Sequence, residues 1–199
     1  MKRTGIYAGT FDPVHSGHIG FALQAMKAAK LSEVYFLPER KPRGKKGVEH
    51  FGHRYAMLER ALKPYKKFHT LEMVDISFSV KRTLPELQRQ FPDSQLVFLF
   101  GSDVITQIPD WPNSAQLLKS SELVVGLREK DDVAKLRESL AAWKVRPLAL
   151  TLFRSYAPSI SSGKVREALR LRRKAPGILK SVERYSDTHW LYISLGSED

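Results

Sequence analysis

Cysteine is missing from all 199 residues of the sequence. Its absence excludes disulfide bonds, a catalytic thiolate and a cysteine-ligated zinc site. The sequence also has no apolar run of the length that a membrane-spanning helix needs. The basic start MKRTG is not followed by the apolar stretch of a secretory signal. Together these absences predict a cytoplasmic protein with no membrane partner.

Acidic residues are in the minority, since 21 Asp and Glu face 33 Lys and Arg, giving a formal net charge of +12. Such an excess favours an anionic partner or substrate. The basic residues concentrate in two clusters, Arg40–Lys46 and Lys164–Lys174. Neither cluster has the interleaved aromatics of a single-strand binding groove, and no nucleic-acid-binding motif is present. The sequence therefore argues against nucleic acid and favours a smaller anionic substrate.

Apolar runs of strand length alternate with segments of helical period along the chain. The runs predict strands at Thr4–Ala8, Val34–Leu37, Leu71–Ile76, Gln95–Phe100, Leu123–Leu127 and Leu148–Phe153. The helical segments are Gly17–Ala29, Arg54–Leu62, Thr83–Gln90, Ser114–Lys119, Val133–Trp143, Ser161–Arg173 and Pro176–Tyr185. This alternation predicts an α/β fold with a doubly wound parallel sheet and C-terminal helices. We expect one domain spanning residues 1–199.

Four loops follow predicted strands and are expected to meet. In an open parallel sheet the ligand binds beyond the carboxyl ends of the strands. The loops concerned are Gly9–His18, Pro38–Gly52, Gly101–Trp111 and Arg154–Arg166. The second of them is long, basic and rich in glycine and proline, and long loops in compact domains are usually functional. We therefore expect a binding site at this edge of the sheet.

The first of these loops carries two histidines, His15 and His18, at the start of a predicted helix. The N–H groups of a helix start bind anions, and imidazoles there can donate to phosphate or become charged beside it. An isolated pair is more often structural, but the preceding strand and glycine turn favour a phosphate site. Zinc, with Asp12 as third ligand, is disfavoured because the spacing is not His-x-x-x-His. His50 and His53 repeat the spacing without that context and are interpreted as surface residues.

A second candidate phosphate segment, Ser159–Arg166, opens the penultimate predicted helix. Ser161 or Ser162 is a plausible N-cap, and hydroxyls, backbone N–H groups and Arg166 favour phosphate. A plain cap followed by a basic helical face explains the same residues equally well. The segment is not a P-loop, because Val165 stands where that motif requires Ser or Thr.

The stretch GTFDPVHSGH, residues 9–18, resembles the signature of the HIGH/T-x-G-H nucleotidylyltransferase superfamily, in particular its nicotinate-nucleotide adenylyltransferase branch. Residues 159–166 are similar to the I-S-S-T-x-I-R motif of that family, with Gly163 in place of Thr. The resemblance covers nearly the whole chain and implies a Rossmann-like nucleotidylyltransferase fold. It implies His15, His18 and Arg166 as catalytic residues. The residues expected to bind ATP are Gly9, Thr10, Phe11, His15, His18, Gly101, Asp103, Ser161, Ser162 and Arg166.

The acceptor side of the resemblance is less regular. Phe100–Asp103 and Trp111 resemble a G-x-D…W element in which the Trp stacks on the nicotinate ring, although a helix cap and a core Trp are the ordinary roles of such residues. The family often has a P-P-H-K loop after its second strand, whereas here the loop has lysines and no histidine. The Tyr-Thr pair that helps to hold the pyridine acid group reads Phe78-Ser79. The residues expected to bind the acceptor are Lys41, Lys45, Arg54, Thr83 and Trp111.

The resemblance implies transfer of AMP from ATP to nicotinate mononucleotide with release of pyrophosphate, a step of NAD synthesis. The partners are then ATP and a mononucleotide phosphate, with Mg²⁺ bridging the ATP phosphates rather than held by a protein metal site. Nicotinamide mononucleotide or phosphopantetheine are alternative acceptors, and a nucleotide- or nucleic-acid-binding module without catalysis is the alternative class. The missing R-T-E-G-I-S-T pattern argues against a cytidylyltransferase, and a homo-oligomer is left open.

Overall fold

The central feature of the fold is a parallel sheet, seen in a computed structural model that describes residues 1–73, 75, 77–128, 133–155 and 160–193. Within these ranges six strands form one sheet in the order β3-β2-β1-β4-β5-β6. The strands are β1 Lys2–Gly9, β2 Glu33–Pro38, β3 Phe68–Thr70, β4 Ser94–Gly101, β5 Glu122–Leu127 and β6 Leu150–Arg154. Every neighbouring pair is parallel, which confirms the predicted doubly wound sheet. The order reverses between β1 and β4, which is the position where such sheets bind ligands.

Helices follow the strands as the sequence predicts. They are α1 Ser16–Ala28, α2 Phe51–Leu62, α3 Val80–Gln90, α4 Ser102–Ile105, α5 Ser114–Ser120, α6 Val133–Ala141, α7 Ser162–Arg170 and α8 Lys180–Thr188. The short α4 and a 3₁₀ turn at Ile108–Asp110 were not predicted. No helix in the described ranges is long and apolar enough to cross a membrane.

Two apolar clusters cover the two faces of the sheet. Ala22 and Ala25 of α1, Met57 and Leu58 of α2 and Val182 of α8 are buried in one cluster. Leucines of α3, α5 and α6 are buried in the other. Because both faces are covered, the inner strands are continuously apolar rather than alternating, as in the Leu-Val-Val run of β5. With both faces of the sheet covered by helices, the loops at the strand ends are where a ligand can bind.

Two predicted elements lie elsewhere along the chain or have other bounds in the part of the chain that is described. The strand predicted at Leu71–Ile76 instead lies at Phe68–Thr70, and residues 71–73 have no strand structure, while residues 74 and 76 fall outside the description. The Leu71 N–H still donates to the Phe36 carbonyl of β2 at 2.8 Å, and Leu71 and Met73 pack against the core beyond the end of β3. The last helix begins at Lys180, later than predicted, because Gly177 adopts a φ of +67° that a helix does not allow.

Candidate active site

A cleft of about 880 Å³ opens at the carboxyl edge of the sheet. All four loops that were expected to meet contribute to it, including the basic loop through Lys45, Lys46 and Val48. Of the residues predicted from the sequence, those lining the cleft are Thr10, His15, His18, Lys45, Gly101, Asp103, Ser161, Ser162 and Arg166. Most of the residues expected to bind ATP are therefore brought together.

His15 and His18 cap the first helix with their rings. His15 is the N-cap of α1, and its Nδ1 accepts a hydrogen bond from the Gly17 N–H at 3.2 Å. The Nδ1 of His18 in turn accepts from the His15 N–H at 3.2 Å, which completes a reciprocal capping box. A ring nitrogen that accepts carries no proton, so each neutral imidazole has its proton on Nε2. The ring centroids are 3.8 Å apart, and both rings line the cleft.

Burial keeps both imidazoles neutral near pH 7. It lowers the pKa of His15 to about 4. Burial also lowers the pKa of His18 well below its ordinary value, and the charges of His15 and Lys45 lower it further. The sequence suggested that these rings could carry positive charge. It also predicted that they could donate to phosphate, and in the arrangement described they are a pair of neutral Nε2–H donors.

The backbone at the start of α1 is not available to an anion, contrary to the sequence expectation. Ser16 N–H donates to the Gly177 carbonyl at 2.8 Å, Gly17 N–H donates to the His15 ring, and His18 N–H donates to the His15 carbonyl at 3.0 Å. Any anion here must use the imidazoles. At this helix start the donors open to a ligand are therefore the Nε2–H groups of the two imidazoles and not backbone N–H groups.

The start of α7 differs, because its backbone is open to the cleft. Ser161 is the N-cap, and its Oγ accepts from Lys164 N–H at 3.3 Å. No residue in the described ranges accepts from the N–H groups of Ser162 or Gly163, and both residues line the cleft. Among the described residues, a Cβ at Gly163 would meet only Ser161 Oγ, at 3.8 Å, an ordinary contact. This helix start has the donors of an anion site.

Arg166 links the two phosphate segments. Its Nη1 donates to the Asp12 carbonyl at 2.6 Å and lies 3.3 Å from Asp12 Oδ2. Ser162 Oγ donates to the Pro13 carbonyl at 3.0 Å. The first turn of α7 is therefore bound directly to the loop after β1, although about 150 residues separate them along the chain.

The structure distinguishes between the two candidate lysines of the basic loop. Lys45 Nζ donates to Thr10 Oγ1 at 2.7 Å, which brings the loop onto the edge of the cleft. Lys41 is exposed and does not line it. The positive side chains that line the cleft outnumber its two carboxylates, and they are Lys45, Lys46, Arg128, Lys164 and Arg166. The cleft is therefore suited to a polyanion.

Asp103 lies at the opposite wall, where β4 ends. It occupies the first turn of α4 and is not the helix cap, which is Gly101. Its Oδ2 pairs with Arg128 at 2.9 Å, and 57% of its side chain is exposed. A Cβ at Gly101 would lie 2.6 Å from Asp103 Oδ1, so only glycine allows this carboxylate its position. The exposed carboxylate can accept hydrogen bonds from a ligand in the cleft.

Gly9 and Phe11, which were predicted to bind ATP, lie behind the lining of the cleft. The Phe11 side chain is buried and has a φ of +48°. A Cβ at Gly9 would lie 3.0 Å from the Phe11 ring, so the glycine makes room for that ring. The Phe11 ring packs edge-on to His18 with centroids 5.1 Å apart. Phe11 therefore packs against the histidine, and neither Gly9 nor Phe11 lines the cleft.

Arg54 and Thr83 were predicted to bind the acceptor, and the structure gives both of them other partners. Arg54 is 1% exposed, and its guanidinium donates to four backbone carbonyls. Thr83 is equally buried, and its Oγ1 accepts from Ser79 N–H at 2.9 Å at the start of α3. Arg54 thus satisfies backbone carbonyls, and Thr83 satisfies a backbone N–H at the start of a helix.

Trp111 lies apart from the phosphate side of the cleft. The indole is half-buried and packs edge-on against Phe100 with centroids 5.7 Å apart. The Phe78 ring lies 6.1 Å away. Phe100 precedes Gly101 at the end of β4, so this aromatic group adjoins the same edge of the sheet. It offers a surface for a flat ring.

Several lining residues were missed in the sequence. Arg128 and Ser155 directly follow β5 and β6, so the rule that used strand ends could have found them. Tyr7 lines the cleft from within β1, where the sequence predicted only an apolar strand. Tyr192, whose hydroxyl donates to Asp12, was not predicted as a site residue and does not itself line the cleft.

In the described ranges, no group of three or more His, Asp or Glu side chains is placed to hold a metal ion. The carboxylates that line the cleft are Asp12 and Asp103. Asp12 Oδ2 is buried beside Arg166. Such a donor set suits a magnesium ion held mostly by phosphate and water oxygens, because Mg²⁺ commonly takes one or two protein carboxylates at most.

Comparison with known proteins gives consistent results. The cytidylyltransferase-like family matches residues 6–168. A probable nicotinate-nucleotide adenylyltransferase of Clostridium perfringens is 31% identical over 94% of this chain and 98% of its own length. A counterpart of the same name from Neisseria gonorrhoeae is 29% identical over 96% and 99%.

A solved structure shares the fold. Plasmodium falciparum nicotinic acid mononucleotide adenylyltransferase complexed with NaAD superposes with a TM-score of 0.77 over 96% of this chain and 98% of that one. The same protein complexed with APC gives the same score at 18% identity. At this identity the likeness bears on the fold, and it agrees with the Rossmann-like architecture predicted from the sequence.

Proposed function

The chain belongs to the cytidylyltransferase-like family, in its nicotinate-nucleotide adenylyltransferase branch, and on that premise we propose that it transfers AMP from ATP to nicotinate mononucleotide. The observation that carries the proposal is the reciprocally capped pair His15 and His18 in a basic cleft at the switch point of the sheet. Donors placed before the ligand arrives need little reorganisation when charge develops on a reacting phosphate.

The reaction is an in-line displacement at phosphorus. A phosphate oxygen of the acceptor attacks the α-phosphorus of ATP and forms a new P–O bond. The bond from the α-phosphorus to the oxygen bridging to the β-phosphate breaks, and its electron pair leaves with pyrophosphate. The nucleophile is already an anion, so no general base or covalent intermediate is needed. Catalysis then consists of positioning and charge stabilisation.

Different hydrogen-bond donors of the cleft are assigned to different phosphates of ATP. We assign the Nε2–H groups of His18 and His15 to the α-phosphate region. Arg166 and the backbone N–H groups at the start of α7 face the remaining phosphates, with Lys45 closing from the basic loop. Asp103, exposed at the end of β4, accepts hydrogen bonds from the ribose.

Magnesium would arrive with ATP and neutralise phosphate charge. The carboxylates that line the cleft, Asp12 and Asp103, are the side chains that could hold such an ion or its waters beside the phosphates. On the acceptor side, Trp111 offers its half-buried indole for stacking with the pyridine ring.

The test is pyrophosphate release from ATP and Mg²⁺, measured in parallel with nicotinate mononucleotide, nicotinamide mononucleotide and phosphopantetheine. The proposal predicts the highest kcat/KM with nicotinate mononucleotide. A higher value with another acceptor would overturn the acceptor assignment. No release with any acceptor would overturn the proposed reaction.

The same assay tests the histidine pair. His18→Ala removes a donor made for the transition state, and loss of one such donor costs about 10²–10³ in kcat. The chain contains its own control in His53, which is the third residue of α2 as His18 is of α1, within the similar sequence His50-Phe51-Gly52-His53. His53 contacts Tyr185 and does not line the cleft, so His53→Ala should keep the parental kcat. Equal effects of the two changes would contradict the assignment.

A further inference from the structure

Tyr192 reaches the phosphate loop from the far end of the chain. Its hydroxyl donates to Asp12 Oδ1 at 2.7 Å, across 180 residues of sequence. The segment that follows α8 places it there: Trp190 and Tyr192 have φ values of +55° and +63°, with Leu191 buried between them. Left-handed conformations are costly for such side chains and persist only where surrounding contacts enforce them.

Asp12 depends on this hydroxyl. The side chain is 2% exposed, and a buried carboxylate is stable only when it is paired or accepts hydrogen bonds. Its Oδ2 accepts no hydrogen bond in the described ranges and has only the ionic contact with Arg166. Burial, and then the charge of Asp12, raise the pKa of Tyr192, so the hydroxyl remains a donor throughout the physiological range.

Arg166 depends on Asp12. Its Nη1 is the atom that meets both the carbonyl and the carboxylate of Asp12. Its Nε and Nη2 have no partner among the described residues, and the side chain lines the cleft. One edge of the guanidinium is therefore fixed, and the other edge is left for an anion, the geometry in which Arg recognises phosphate.

We infer that Tyr192 is a positioning residue for nucleotidyl transfer: its hydroxyl fixes Asp12, and Asp12 fixes the guanidinium of Arg166 against the phosphates. The inference rests on the proposed function. It connects the segment after the last helix to the reacting groups. Tyr192 belongs to neither of the two phosphate motifs.

The test begins with Tyr192→Phe, which removes the hydroxyl and keeps the ring. A hydrogen bond to a charged group contributes about 1.5–3 kcal/mol, so kcat should fall about tenfold or more. The KM for the acceptor should stay at its parental value, because Arg166 faces ATP. The matched control is Tyr185→Phe, which removes a hydroxyl that bonds to His53 outside the cleft and should keep the parental kcat.

A double variant separates positioning from general damage. In an Arg166→Ala background, Tyr192→Phe should cause no further loss of kcat, because the residue it acts through is gone. An equal loss in both backgrounds, or a parental kcat in Tyr192→Phe alone, would overturn the inference.

Binding of ATP distinguishes this inference from the proposed function. If the parental chain releases no pyrophosphate with any acceptor, the proposed function fails. Calorimetric titration with ATP and Mg²⁺ then gives the same cycle: Tyr192→Phe should weaken binding in the parental chain and leave it unchanged in the Arg166→Ala background. Unchanged ATP affinity in the parental background would overturn the inference in that case.

Discussion

At the residue scale, the environment of an imidazole decides whether it is a donor or a cation. His15 and His18 each use Nδ1 to accept a backbone N–H, which leaves Nε2–H for a ligand. Burial disfavours a second proton on either ring. A neutral donor does not lose its role when pH rises through the physiological range. The pair is therefore suited to an enzyme whose nucleophile needs no base.

The lowered pKa of His15 predicts how stability depends on pH. Its pKa is about 4 in the folded chain, against an ordinary value of 6.5. The unfolded chain binds more protons between these values, so the stabilisation is complete above pH 6.5 and is lost as pH falls through the folded pKa. The difference corresponds to about 3 kcal/mol.

His15→Asn keeps a side chain that can cap the helix and removes the titrating ring. Urea unfolding at pH 7 and pH 4 should show a smaller loss of stability in this variant than in the parental chain, by an amount approaching that difference. An identical loss in the two proteins would show that His15 is not held neutral by the fold.

At the scale of the element, two helices begin with nearly the same four residues but differ in how tightly the glycine packs against the capping histidine. Both α1 and α2 open with His-x-Gly-His, and in each the first imidazole caps the glycine N–H. In α1 a Cβ at Gly17 would lie 2.9 Å from the His15 ring, whereas at Gly52 it would be 3.4 Å from His50, an ordinary contact. Only the first helix start requires its glycine.

Gly17→Ala should therefore displace the His15 ring and reduce kcat for pyrophosphate release, since the donor pair is separated. Gly52→Ala is the matched control. It should keep the parental kcat and raise the free energy of unfolding by about 0.5–1 kcal/mol, because alanine is the better residue within a helix. Steady-state kinetics and urea unfolding of both variants measure the two effects. Full activity in Gly17→Ala would contradict the role of His15 geometry.

Sequence periodicity predicted the sheet and most helices because buried parallel strands are continuously apolar. It failed at β3, since the apolar residues Leu71 and Met73 pack into the core beyond the end of the strand. In the site, the two motifs predicted His15, His18 and Ser161 as site residues. The rule that loops at strand ends meet predicted that these residues lie together. Sequence alone could not separate Lys45 from Lys41, because loop conformation decides which lysine reaches Thr10.

At the scale of the whole molecule, a buried arginine joins the loops that form the cleft. Arg54 Nη1 donates to the Thr10 carbonyl at 2.6 Å, and its Nη2 donates to the carbonyls of Glu39 and Arg40. Its Nε donates to the Glu49 carbonyl at 2.9 Å. The phosphate loop after β1 and the basic loop after β2 are thus bound to one guanidinium on α2. The donors of Arg54 thus satisfy backbone carbonyls that would otherwise be buried without partners.

Arg54→Met tests this interpretation, because methionine keeps an apolar side chain of similar length and removes every donor. The carbonyls left without partners and the lost charge-assisted bonds should lower the free energy of unfolding by about 3–5 kcal/mol. The matched control is Arg60→Met on the same helix. Arg60 is exposed, donates to the Ala56 carbonyl and lies over the Tyr185 ring, so its loss should cost about 1 kcal/mol or less. Denaturant unfolding at pH 7 compares the two, and similar losses would show that Arg54 is no more important to the fold than a surface arginine.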